Sequence, residues 1–114
     1  MRILDFNVSG QKLQKNSDCD FTDIVAGSKG YLRARFEFST DWAGCKKVAV
    51  FISNGHEYPV AIINNTCDIP AEVLTTRTVK LYVIGRRPGF EIPTNIITFE
   101  QKIISQRRAS NGND

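Results

Sequence analysis

Apolar and polar residues alternate strictly in the segment 31–38. The alternating positions are Leu32, Ala34, Phe36 and Phe38 against Tyr31, Arg33, Arg35 and Glu37. Because successive side chains of a strand point to opposite faces, this period of two predicts a β-strand with one buried face. The same face of this strand should therefore contribute to a hydrophobic core.

A β-hairpin is predicted in the next apolar stretch. The run 47–52 is rich in β-branched and aromatic residues, stops at Asn54-Gly55, and is followed by a second run of the same character at 57–63. Asn-Gly between two such runs is typical of a two-residue hairpin turn, because both turn positions need a positive φ angle.

Further turns and strands follow this hairpin. Asn64-Asn65 predicts a turn, and Pro70 with Glu72 behind it predicts one short helical turn. The other strands are predicted at 3–8, as an edge strand, and at 23–25, 66–69, 79–85 and 96–99. Seven or eight strands at spacings of about 8–12 residues indicate an all-β chain that folds as an antiparallel β-sandwich.

The core of this sandwich is predicted from the apolar positions of the strands. Its expected members are Leu32, Ala34, Phe36, Phe38, Val48, Val50, Phe51, Ile52, Val60, Ile62, Ile69, Leu81 and Val83. Residues 1–104 are expected to form one domain, since a chain of this length suits a single core. The polar segment 105–114 is predicted to be a flexible tail or the start of a linker.

Composition and charge limit the classes of protein. Hydrophobic residues make up 41% of the 114 residues, which is enough for a packed core. No apolar run approaches the roughly 20 residues that span a bilayer, so no membrane contact is expected. Nothing at the amino terminus resembles a signal peptide, and synthesis in the cytoplasm is expected.

Residues that carry catalysis or bind metals are sparse. His56 is the single histidine, and the cysteines Cys19, Cys45 and Cys67 are widely spaced. A nucleophile with its base, or a zinc site, needs several such residues at suitable spacing. We therefore expect no catalytic site, no metal and no cofactor, and we expect three reduced thiols.

The basic residues have two interpretations. They are two adjacent pairs, Lys46-Lys47 and Arg86-Arg87, and two arginines of the strand predicted at 31–38, Arg33 and Arg35. They either form a stripe that binds a polyanion or cover the solvent faces of strands, where lysines also discourage edge pairing. The net charge of +3 is small, which favours the second interpretation, and no nucleic-acid partner is expected.

Trp42 also has two interpretations. It either provides a stacking platform for a sugar or caps the core at the corner between two strands, where its ring N–H finds a partner. The second interpretation is favoured. Gly44 would then allow the backbone conformation that the corner needs.

Four stretches of the chain occur in the same order in one group of phage proteins. They are residues 36–44, 46–51, 67–74 and 92–95. Over roughly residues 1–101 the chain resembles the amino-terminal β-sandwich domain of head-fibre, tail or baseplate structural proteins from phages of gut Firmicutes and related bacteria. The signature residues are Phe36, Phe38, Trp42, Gly44, Pro70 and Glu72. Ala71 departs from the tryptophan that is usual at its position.

This resemblance implies an immunoglobulin-like module that attaches a fibre or spike to the virion or decorates the capsid. The expected partners are other virion proteins of the capsid, tail or fibre, and a homo-oligomer is compatible with such a role. Two alternatives stay open, a small phage-encoded inhibitor of a host protein and a carbohydrate-binding module. Scaffolded loops commonly carry recognition. The predicted binding loops contain Asn54, Gly55, His56, Arg86, Arg87 and Phe90.

Overall fold

The computed structural model describes residues 1–103, which form nine strands and two 3-10 turns. The strands are β1 (Arg2–Ser9), β2 (Lys12–Lys15), β3 (Leu32–Phe38), β4 (Lys46–Ser53), β5 (His56–Ile62), β6 (Thr66–Asp68), β7 (Thr78–Arg87), β8 (Phe90–Pro93) and β9 (Ile97–Glu100). The predicted all-β class is confirmed. The strand count is nine, not seven or eight, because two short strands, β2 and β8, lack a clear apolar pattern. The predicted tail at 105–114 lies outside the described residues.

The strands form two sheets that pack face to face as a β-sandwich. The first sheet has the order β2-β1-β3-β6. The second has the order β5-β4-β7-β8, and β9 also pairs with β7. All pairs are antiparallel except β1 with β3, which run parallel. Buried side chains from both sheets make one hydrophobic cluster between them.

Strand β1 was predicted at an edge, and this prediction is wrong. It lies between β2 and β3, with Phe6 opposite Phe36 in the parallel ladder. A parallel pair needs a crossover of a dozen or more residues, and the segment between β2 and β3 is long enough to provide it. Alternation in the sequence defined the buried face of β1, but it could not identify the neighbouring strand.

The predicted turns are confirmed at both asparagine positions. Asn54 and Gly55 have φ angles of 52° and 77°, and Asn64 and Asn65 have φ angles of 53° and 63°. Two consecutive positive φ angles match the twist of the flanking strands and produce tight hairpins. The first turn joins β4 to β5, and the second leads from β5 into β6.

The helical turn predicted after Pro70 is present, and a second one was not predicted. The first covers Ala71–Val73, and the other covers Thr40–Trp42 at the corner before β4. The strand predicted at 23–25 is reduced to one bridge between Val25 and Lys102. Both 3-10 turns place an apolar residue, Trp42 or Val73, in the core.

Most of the predicted core residues lie between the two sheets. Leu32, Ala34, Phe36, Phe51, Ile62, Ile69, Leu81 and Val83 are buried in the cluster, and Phe38 and Val60 are half-buried against it. The prediction is wrong for Val48 and Ile52 of β4, which are half-buried, whereas Val50 is buried but stands outside the cluster between the sheets. Ala49 and Phe51 point into the sandwich opposite Val83 and Leu81. Val48, Val50 and Ile52 therefore lie on the outer face of the second sheet.

Candidate protein-binding surface

The two predicted binding loops lie at opposite ends of the second sheet. Asn54, Gly55 and His56 are exposed at the hairpin tip that follows β4. The turn between Arg87 and Phe90 lies beside the start of β4, because Lys46 is opposite Arg86 in the antiparallel ladder. The two loops therefore do not combine into one site.

Arg87 is engaged within the domain. Its Nη1 donates to the carbonyls of Asp41 and Ala43 at 3.1 and 3.2 Å and contacts Sγ of Cys45 at 3.2 Å. Its guanidinium also stacks on Phe90, with 3.7 Å between Cζ and the ring centroid. Arg87 thus connects the corner before β4 to the end of β7 by hydrogen bonds. No local sequence pattern indicates this role.

Replacement of Arg87 with alanine should lower the free energy of unfolding by about 1–3 kcal/mol, because two corner carbonyls lose their charged donor. Chemical denaturation would measure this cost. Arg86→Ala is the matched control. Arg86 is exposed and forms only a surface ion pair with Glu91 at 2.9 Å, so its loss should cost less than about 1 kcal/mol. Equal costs for the two variants would contradict the role assigned to Arg87.

Trp42 is a core residue, as the favoured interpretation predicted. Its side chain is fully buried, and Nε1 donates to the carbonyl of Gly10 at 2.8 Å. A Cβ built on Gly85 would come within 2.7 Å of the ring, so the indole packs directly on the backbone of β7. The ring is therefore not accessible as a platform for a sugar.

Most of the signature residues have structural roles in the sandwich. The rings of Phe36, Phe38 and Trp42 form a row, with centroids 5.8 and 5.1 Å apart. Gly44 has a φ angle of 76°, which allows the corner to turn into β4. Pro70 occupies the N-cap position of the 3-10 turn Ala71–Val73, and Glu72 is exposed. These residues define the fold and do not assemble a site.

The predicted basic residues separate into two groups. Arg33 and Arg35 lie on the outer face of the first sheet, where they pair with Asp68 at 2.5 Å and Asp5 at 2.6 Å. The others, Lys46, Lys47, Arg86 and Arg87, lie together at one end of the second sheet. A continuous basic stripe is therefore not formed.

The cysteines of the described segment are all free thiols. Burial raises the pKa of Cys67 to about 12, so this thiol stays protonated and unreactive at neutral pH. Among residues 1–103, no three histidine, cysteine or acidic side chains come close enough together to hold a metal ion.

The outer face of the second sheet is apolar, and sequence reasoning missed it. We call this surface the β4–β7 face. Its apolar side chains are Val48, Val50, Ile52, Pro59, Ala61, Tyr82, Ile84 and Pro93. The ladder places Val50 between Pro59 and Tyr82, and Val50 is only 5% exposed. The continuous apolar run 48–52 was the available signal.

The outer face of the first sheet provides an internal comparison. Its strands carry charged and amide side chains there, among them Asp5, Asn7, Arg35 and Glu37. Antiparallel sheets with one solvated face normally show this alternation of apolar and polar positions. Strand β4 is instead apolar on both faces, which is typical of a strand that is covered on both sides.

The charged residues of the β4–β7 face lie at its two ends, around an apolar centre. The basic end carries Lys46, Arg86 and Glu91, and the acidic end carries Lys80, Glu57 and Glu100. Formal charges make the first end net positive and the second net negative. An apolar centre with a charged rim is the usual anatomy of a protein–protein interface.

Comparisons with known proteins leave the family open. The chain matches no protein-family model, and no curated protein matches it. Within the part of the chain that the structure describes, no helix is long and apolar enough to cross a membrane.

Proposed function

We propose that this chain is an immunoglobulin-like β-sandwich module of a bacteriophage virion. It acts by binding other proteins and not by catalysis. The observation that carries the binding role is the apolar β4–β7 face. Contiguous apolar patches on a soluble domain mark interaction sites, because leaving them in water is unfavourable. The virion role rests on the resemblance of the signature residues to phage head-fibre, tail and baseplate domains.

The alternatives differ in how much supports them. The carbohydrate-binding alternative depended mainly on Trp42, which is fully buried. The inhibitor alternative needs the same kind of protein-binding surface and differs in where the chain resides, the particle or the host cell. The location of the chain therefore separates the virion role from the inhibitor role.

Mass spectrometry of purified particles of the phage that encodes this chain would test the virion role. We expect the chain among the structural proteins of the particle. Its absence from intact particles would overturn the virion role and favour the inhibitor.

Incorporation of variants would test the binding surface. Ile84→Asp places a charge on the β4–β7 face, and its copy number in particles should fall at least tenfold. Gln14→Glu is the matched control, because it adds the same charge to the exposed outer face of the first sheet. Both variants should keep a cooperative melting transition. Normal incorporation of a folded Ile84→Asp chain would place the binding surface elsewhere.

A further inference from the structure

We propose that a second copy of this chain covers the β4–β7 face, in an isologous dimer whose two β4 strands run in opposite directions. This inference rests on the proposed function, in which the same face is the binding surface. It names a second copy of the chain as the partner that binds this face. The face is the outer surface of a sheet, and such a face is commonly covered by a second sheet packed about 10 Å away.

Charge complementarity fixes the direction of the pair. A two-fold axis perpendicular to the strands lays the basic end of one copy over the acidic end of the other. Lys46 then faces the end that carries Glu57, and the contact occurs twice because the interface is isologous. An axis parallel to the strands would instead lay Lys46 and Arg86 of one copy over the same cations of the other, which is unfavourable.

In the described segment, three of the four sheet edges are unsuited to association by strand addition. Strand β5 is an edge strand and contains Pro59, whose nitrogen cannot donate to a neighbouring strand. Strand β2, at an edge of the first sheet, carries Lys12 and Lys15, and β6 at the other edge has only three residues. Charged and short edges are typical devices against edge pairing. These features favour association through the sheet face over association through those edges.

The size of the face sets the expected strength. The four strands lie about 4.8 Å apart, and an apolar centre about six residues long gives a patch of roughly 20 by 20 Å. Packing two such patches together buries on the order of 1,000 Å² in total, which is near the lower limit for a specific interface. A dimer with a dissociation constant in the micromolar range, on the order of 10 μM, is therefore expected.

Sedimentation velocity of the purified full chain from about 1 μM to 1 mM would test the proposal. We expect a concentration-dependent monomer–dimer equilibrium, and we expect Ile84→Asp to weaken it at least tenfold. A chain that stays monomeric over this range would overturn the proposal. A dimer that Ile84→Asp leaves unchanged would also overturn it, because association would then use another surface.

Charge exchange tests the direction of the pair. Lys46→Glu and Glu57→Lys should each weaken self-association about tenfold, since each places like charges at both ends of the interface. A mixture of these two variants should restore the wild-type affinity, because both end contacts are then oppositely charged. Lys12→Glu is the matched control on the edge of the first sheet and should have no effect. A Lys46→Glu chain that associates more tightly would overturn the opposed arrangement.

Lys12, Lys46 and Glu57 are exposed, so their charge-exchange variants should keep the wild-type melting transition. Failure of the dimer is distinguishable from failure of the proposed function. A monomeric chain that is present in particles and lost with Ile84→Asp would keep the virion role and assign the face to a different protein.

Discussion

Trp42→Ala is expected to lower the free energy of unfolding by about 3–5 kcal/mol, which is typical for truncation of a buried tryptophan. The ring is fully buried, packs on Gly85 and lies 5.1 Å from the ring of Phe38. Gly85 cannot move into the space that the ring leaves, because it belongs to the central strand β7. Chemical denaturation followed by circular dichroism would measure the loss.

Two further variants divide this cost into its parts. Trp42→Phe keeps an aromatic ring but removes the N–H donor to the carbonyl of Gly10, and should cost about 1–3 kcal/mol. Tyr31→Ala removes an aromatic side chain that is 50% exposed and should cost less than about 1 kcal/mol. If Trp42→Ala were no more costly than Tyr31→Ala, the indole would not be the core cap that its packing indicates.

Local features of the chain could be predicted from the sequence where a few neighbouring residues determine the backbone. Asn54-Gly55 specifies a tight hairpin because both residues tolerate positive φ angles. Pro70 marks the start of a helical turn from its N-cap position, where its ring fixes the φ angle at −60°. The alternation in β3 identifies its buried face. Each of these predictions depends on residues that are adjacent or nearly adjacent in the chain.

Strand neighbours could not be predicted in the same way. The parallel pairing of β1 with β3 joins segments that are 30 residues apart in register, from Phe6 to Phe36. Both strands have the same alternating pattern, so the pattern is equally compatible with an edge or an interior position for β1. Strand β2, with one apolar residue, Leu13, has no pattern to recognise.

The predicted binding loops stay a prediction, and the apolar sheet face was missed for a related reason. The loop prediction selected Arg86, Arg87 and Phe90 for their residue types, but a residue type does not show whether its partner is internal. Arg87 bonds to carbonyls of Asp41 and Ala43, more than 40 residues away. The apolar sheet face was visible only after the register of β4 with β7 was known.

Strand β4 shows how far a sequence can specify orientation. Its five central residues are all apolar, so the period of two that separates inner from outer positions is missing. The register with Leu81 and Val83 then decides that Phe51 points inward and Ile52 outward. One strand therefore contributes to the core of the domain with one face and to the proposed binding surface with the other.

Phe51→Ala should consequently lower the free energy of unfolding by about 3–5 kcal/mol, because its ring is fully buried between the two sheets. Ile52→Ala, one position further along β4, should cost less than about 1.5 kcal/mol, because that side chain is half-buried on the outer face. Urea denaturation at about 1 μM protein would compare them without a contribution from association.

The order of these two costs tests the orientation of the whole second sheet. Phenylalanine is larger than isoleucine, so part of the difference in cost comes from side-chain size. Val50→Ala therefore serves as a further control on the outer face. Val50 lies outside the cluster between the sheets, with Pro59 and Tyr82 as its ladder neighbours, so Val50→Ala should cost less than Phe51→Ala. If instead Val50 and Ile52 proved costly and Phe51 tolerant, β4 would be rotated by one residue. The apolar face would then belong to the core, and neither the binding surface nor the dimer would remain.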